Sequence, residues 1–201
     1  MAGVGMDEML VLASQSGSRR AMLEQAGVAH EAVPARVDER ALEAALGSAA
    51  PDAVALALAG AKAAEVSARM PGRLVLGSDS LVVVAGQRYD KPASREDAAR
   101  HLRVFSGQVM ELHSAAVLMR DGVPVWRHGA AARLSVHRLS EAFIADYLDA
   151  EWPHVAGCVG VFRIEARGPR LFSAIEGDYF TILGMPLLAV LGGLREQGLI
   201  A

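Results

Sequence analysis

A chain of 201 residues, 52% of them hydrophobic, has enough apolar side chain for one sizeable core and sits at the upper end of the single-domain range, so one domain over 1–201 is expected. Lys plus Arg number 20 against 23 Asp plus Glu, a formal net charge of -3, and the arginines are scattered, so no broad nucleic-acid surface is indicated. The one cysteine, Cys158, supports neither a disulfide framework nor a zinc site and points to a reducing compartment.

The opening MAGVGMDEML lacks the basic segment and long apolar core of a secretory signal. No stretch reaches the roughly 20 apolar residues that cross a bilayer. The nearest candidate, Thr181 to Leu194, is broken by Gly184, Pro186 and the Gly192-Gly193 pair. A soluble cytoplasmic protein without a membrane partner is expected.

Met9 to Ala13 reads as a short strand, SQSGSRR as a polar turn, and AMLEQAG as a helix with a glycine stop. VAHEAVPARVDER reads as extended, ALEAALG as helical, and Pro51-Asp52 opens an alanine-rich helix ending near Met70. Two β-branched runs then flank Gly77-Ser78-Asp79-Ser80 and close on a turn at Ala85-Gly86, which places the polar tetrad inside or between strands. Ser94 to Phe105 has helical spacing, a hairpin centres on Asp121-Gly122, and Ser140 precedes a helix with Phe143, Ile144 and Tyr147 on one face. The segment from Gly157 to Gly177 mixes loop and strand, and a terminal helix runs from Pro186 to Gln197. Strands alternating with helices, with hairpins among them, predict a layered α/β domain with a mixed sheet.

Residues 14 to 20 join hydroxyls, a glycine and Arg19 and Arg20 at the start of a helix, the donor set that offsets phosphate charge, although the glycines and lysine of a Walker loop are absent. The carboxylates of interest are Asp38-Glu39, Asp79 and Glu165. Asp79 ranks first because it interrupts two apolar runs, where a buried charge needs a partner, an ion or a chemical task. Lys62 and Lys91, the only lysines, are placed to neutralise phosphate charge. Six histidines form no HExxH, and no GxSxG elbow marks an acyl-transfer serine.

LASQSGSRRAMLEQAG, VDER, the helix with Lys62, GSDSLVVVAGQRYDKP, LRVFSG, RIEARG and IEGDYFTILGMPL occur in an order and spacing that resemble the Maf family of nucleoside triphosphate pyrophosphatases. That resemblance implies an elongated, ITPase-like α/β fold with a central mixed sheet flanked by helices, and a homodimer. It also implies hydrolysis of a nucleoside triphosphate to the monophosphate and pyrophosphate with Mg2+, Mn2+ or Co2+. Carried over residue by residue, phosphate contacts fall on Ser14, Arg19 and Arg20, the acidic pair on Asp38-Glu39, the helix lysine on Lys62 and the lysine before proline on Lys91. Asp79 takes the place of the proton acceptor, and Glu39, Asp79 and Glu165 are the implied metal set.

The chain departs from the family pattern at Gly17, where proline is usual, at Ser80, where threonine is common, and at Met110, where a histidine often stands. Glu165 replaces the glutamine of members acting on dTTP and UTP and is more like the 7-methyl-GTP group. Base preference stays open among dTTP or UTP, 7-methyl-GTP and another modified nucleotide. Two other functions remain in play: a metal-dependent phosphomonoesterase, and a nucleotide-binding regulator of cell division without turnover.

Overall fold

The structure, a computed structural model, describes residues 9–201. Leu10–Leu12 forms strand β1, fully buried. Ser16 then caps helix α1 (Gly17–Gln25), its hydroxyl accepting from the Arg19 amide at 3.4 Å. The helix therefore starts inside the segment read from sequence as a turn. A serine accepting an orphan first-turn amide is enough to begin it there, and it puts Arg19 and Arg20 on the helix itself.

Strand β2 (His30–Ala32) pairs parallel with β1. Helix α2 (Glu39–Leu46) starts at Asp38, whose carboxylate accepts from the Ala41 amide at 3.0 Å, and helix α3 (Pro51–Arg69) opens on its proline. Strand β3 (Leu74–Val84) carries the GSDS tetrad without interruption. Ala85 and Gly86, at φ 51° and 75°, turn it into β4 (Gln87–Tyr89). Helix α4 (Arg95–Phe105) is capped by Ser94. Strands β5 (Val109–Arg120) and β6 (Val123–Val136) join through Asp121 and Gly122, at φ 50° and 77°. Positive φ at both central residues is the backbone that a two-residue hairpin requires. Ser140 caps helix α5 (Glu141–Glu151), and β7 (Phe172–Glu176), α6 (Tyr179–Ile182) and α7 (Leu187–Glu196) complete the chain.

The strands hydrogen-bond in the order β2-β1-β3-β5-β6-β7, with β4 pairing β3. β1 is parallel to β2 and β3, whereas β3–β4 and β6–β7 are antiparallel, so the sheet is mixed as the alternation of elements implied. β7 pairs only with Arg133 to Val136 of β6; before that stretch, Val123 to Gly129 are exposed apart from a half-buried Trp126.

Packing divides the chain into two compact units. The first holds the described chain through Ser80, His113–Ala130 and Tyr179–Ala201; the second holds Leu81–Leu112 and Ala131–Asp178. Leu10, Leu12, Leu23, Leu74, Leu76, Leu118 and Val190 are core residues of the first. Leu102, Phe105, Leu134, Tyr147 and Leu148 are buried in the second. Each fully buried leucine contributes about 1.5–3 kcal/mol relative to leaving it in water. Among the described residues, no helix is long and apolar enough to cross a membrane.

Candidate active site

The alternation of β3 sorts its polar tetrad onto two faces. On one face, a Cβ added at Gly77 would lie 2.1 Å from the Ala59 carbonyl oxygen and 2.7 Å from the Ala63 nitrogen. Helix α3 thus lies backbone against backbone on the strand, a separation only glycine permits. Two residues on, Asp79 points the same way, and the Lys62 ammonium donates to its Oδ1 at 2.5 Å. The same ammonium meets Glu39 Oε1 at 2.9 Å. Asp79 is 6% exposed, whereas the Glu39 side chain is 47% exposed. The pair Asp38-Glu39 therefore divides its work: Asp38 caps α2, and Glu39 reaches the lysine.

On the other face, Ser78 Oγ donates to the Ala115 carbonyl at 2.8 Å and reaches the Gly184 carbonyl at 3.4 Å. Ser80 Oγ accepts from Arg19 Nη2 at 3.3 Å. Arg19 also donates through Nε to the Gly184 carbonyl at 3.0 Å and through Nη1 to Ser14 Oγ at 3.4 Å. Ser14 Oγ in turn accepts from the Ser16 amide at 3.1 Å. All the nitrogens of this buried guanidinium are engaged, so Arg19 ties the end of β1, the middle of β3 and the Gly184 turn together. Burial pulls its pKa below the ordinary arginine value, and the charges of Asp79 and Glu39 oppose that shift. The next residue, Arg20, is exposed and remains at the surface of the helix start.

Seven of the nine residues singled out from the sequence, Ser14, Arg19, Arg20, Asp38, Glu39, Lys62 and Asp79, fall in the first unit, and the two networks share the field between Arg19 and the carboxylates. Lys91 and Glu165 belong to the second unit. Lys91 is exposed between β4 and α4, and Glu165 is exposed on a turn after Ile164. Both act electrostatically on Cys158, whose thiol is pushed up first by burial and next by Glu165. Among the described residues, no group of three His, Cys, Asp or Glu side chains gathers to hold an ion; Glu39 and Asp79 meet through Lys62.

Ser78 and Gly184 are not among the residues the sequence singles out, and Ser80 enters there only as a departure from the usual threonine. The alternation of β3 contains the signal for the serines, since residues 78 and 80 share one face. For Gly184 the useful atom is a backbone carbonyl, which every residue possesses, and its positive φ of 103° is seen only in the folded chain.

The sequence matches the family described as Maf-like protein over residues 9–197. It is 48% identical over 194 residues to a nucleoside triphosphate pyrophosphatase 1 of Jannaschia sp. (strain CCS1), covering 96% of this chain and 98% of that one. It is 49% identical over 197 residues to a 7-methyl-GTP pyrophosphatase of Mesorhizobium japonicum, covering 97% and 99% respectively. Among solved structures, a HAM1 protein from Coxiella burnetii aligns with a TM-score of 0.50 at 15% identity over 94% of this chain and 98% of that one, a likeness of fold. A family match that runs from β1 through α7, with relatives this similar along their whole length, means that the chain belongs to the Maf-like protein family.

Proposed function

We propose that the protein is a nucleoside triphosphate pyrophosphatase in which water attacks the α-phosphorus and pyrophosphate leaves. The observation that carries this reading is the buried Asp79 held by Lys62, beside the Arg19 network. Asp79 accepts the proton of the attacking water, a P–O bond forms to that oxygen, and the bond between the α-phosphorus and the bridging oxygen breaks. Lys62 fixes the carboxylate on β3, while Arg20 and Lys91 neutralise phosphate charge. Arg19 shapes the pocket by holding Ser14 and Ser80. The start of α1 supplies free amides for phosphate oxygens.

Glu39 and Asp79 offer only oxygen donors, which fits a hard divalent cation whose remaining positions are filled by phosphate oxygens and water. Those two residues would hold Mg2+, Mn2+ or Co2+. Bound there, the ion supplies charge neutralisation and polarisation of phosphate. Glu165 reads the base: as a carboxylate it accepts hydrogen bonds and favours a cationic methylated purine, where glutamine would both donate and accept. The chain works in the cytoplasm as a homodimer and keeps modified nucleotides out of the triphosphate pool.

Product analysis tests the reaction. Pyrophosphate released one for one with nucleoside monophosphate supports it, and inorganic phosphate as first product identifies a phosphomonoesterase. Tight nucleotide binding without turnover across magnesium, manganese and cobalt identifies a regulatory module. For the base, Glu165→Gln measured on canonical and methylated triphosphates at two metal concentrations should shift relative rates toward dTTP or UTP. A uniform loss on every nucleotide assigns Glu165 to the metal instead.

A further inference from the structure

In the second unit, Val161 is completely buried yet stands at φ +56°. A β-branched residue in the left-handed region is strained and persists only where its surroundings enforce it. The enforcing contact is visible. The Tyr147 hydroxyl, on α5, donates to the Val161 carbonyl at 3.0 Å in a fully buried setting. One helical turn further on the same face of α5, Glu151 accepts from Arg163 Nε at 3.0 Å and Nη2 at 2.9 Å, its side chain 3% exposed. Two adjacent side chains of one helix thus grip the chain at positions 161 and 163.

Beyond the grip the chain makes a tight turn. The Arg163 carbonyl accepts from the Ala166 amide at 3.1 Å and from the Gly168 amide at 3.0 Å. A Cβ added at Gly168 would lie 2.4 Å from that same oxygen, so the turn closes only because residue 168 is glycine. Glu165 stands exposed on this turn, between the gripped Arg163 and the closing Gly168.

We infer that Tyr147, together with Glu151, is a positioning residue for nucleotide discrimination: gripping the strained Val161–Arg163 segment sets where the Glu165 carboxylate stands. Neither side chain needs to touch the nucleotide. Strain at Val161 matters because the alternative, relaxed backbone would redirect the whole turn, and the hydroxyl of Tyr147 makes that alternative less favourable. The inference rests on the reading that Glu165 contacts the base, and the experiment separates the two.

The test is a double-mutant cycle of Tyr147→Phe and Glu165→Ala, with kcat/KM for pyrophosphate release measured on 7-methyl-GTP, GTP and dTTP, and Tm recorded for each protein. Tyr147→Phe deletes one oxygen. The ratio between the best and worst nucleotide is expected to fall about fivefold, the worth of one neutral hydrogen bond. With Glu165→Ala, which removes the positioned group altogether, as the second background, the same substitution should leave the ratio where it is. A Tyr147→Phe protein that loses Tm but keeps the ratio, or that changes the ratio equally in both backgrounds, overturns the inference. Should Glu165→Ala alone leave the ratio unaltered, the base reading itself is wrong and the inference goes with it. Glu151→Gln, which keeps the volume and weakens the hold on Arg163, covers the case in which Tyr147→Phe is not recovered folded. It should show a loss of discrimination in the same direction, and an unaltered ratio there is equally fatal.

Discussion

Replacing Lys62 by methionine keeps an aliphatic stem of similar length and deletes the ammonium shared by Asp79 and Glu39. The consequences for the two carboxylates differ. Glu39 is half in water and loses at most about 1 kcal/mol of interaction. Asp79 is 6% exposed and becomes a buried charge without its close partner, a change that costs about 3–5 kcal/mol. Arg19, whose field also reaches Asp79, keeps the loss near the lower end, about 3 kcal/mol. Asp79→Asn leaves the ammonium with Glu39 and an amide oxygen, so its cost is smaller, about 1–2 kcal/mol. The double substitution removes the orphan charge altogether and is expected to be more stable than Lys62→Met alone, giving a coupling of about 2 kcal/mol. Urea unfolding of the four proteins measures this directly. Pyrophosphate release should drop about 100-fold or more in all three variants, because each disturbs the proton acceptor or its anchor. Additive stability effects, with Lys62→Met costing under about 1 kcal/mol, would show that Lys62 does not hold Asp79.

Gly77→Ala places a methyl 2.1 Å from the Ala59 carbonyl oxygen, so α3 must move off β3; an expected loss of about 1–3 kcal/mol by urea unfolding should accompany reduced turnover, since Lys62 rides on the displaced helix. Arg19→Lys retains charge but not the fork that reaches Ser14, Ser80 and Gly184, and should lower stability by about 1–3 kcal/mol. Exposed Arg20→Ala should stay within about 0.5 kcal/mol of the parent while raising KM for the triphosphate; equal effects of the two arginine changes on Tm would contradict this division. His101, packed edge-on against Tyr89 with Asp97 at 3.3 Å, has its pKa pulled down, first by burial and against the field of Asp97. A folded-state pKa below the unfolded one means that the neutral ring stabilises the fold above about pH 6.5 and that this contribution is lost as pH falls through the folded pKa. Tm measured from pH 8 to pH 5 should accordingly decline less in His101→Gln than in the parent.

Several element boundaries were plain in the sequence because single residues enforce them. Ser94 and Ser140 cap their helices, Pro51 opens α3, and Ala85-Gly86 and Asp121-Gly122 make the hairpins. The start of α1 was not, because Ser14, Ser16 and Ser18 are all chemically able to cap and composition does not choose among them; the fold uses Ser16. In the site, the demand of Asp79 for a partner could be read from its apolar flanks. The identity of that partner could not, since Lys62 lies 17 residues earlier and meets Asp79 only through the close approach at Gly77. Gly184 was harder still, because its part is played by a main-chain oxygen that every residue possesses.

The early part of β6 has implications for handling the protein. Among the described residues, β7 accompanies this strand only from Arg133 onward, and a sheet edge of that kind can recruit a foreign strand. Val123 and Val125, 60% and 37% exposed, would make such recruitment adhesive. Pro124, placed between them, has no hydrogen to donate, and Arg127 brings charge to the same stretch, both of which blunt an open edge. These two residues act as wardens against self-association into fibrils, and variants made for crystallisation or high-concentration assays are best designed to leave them in place.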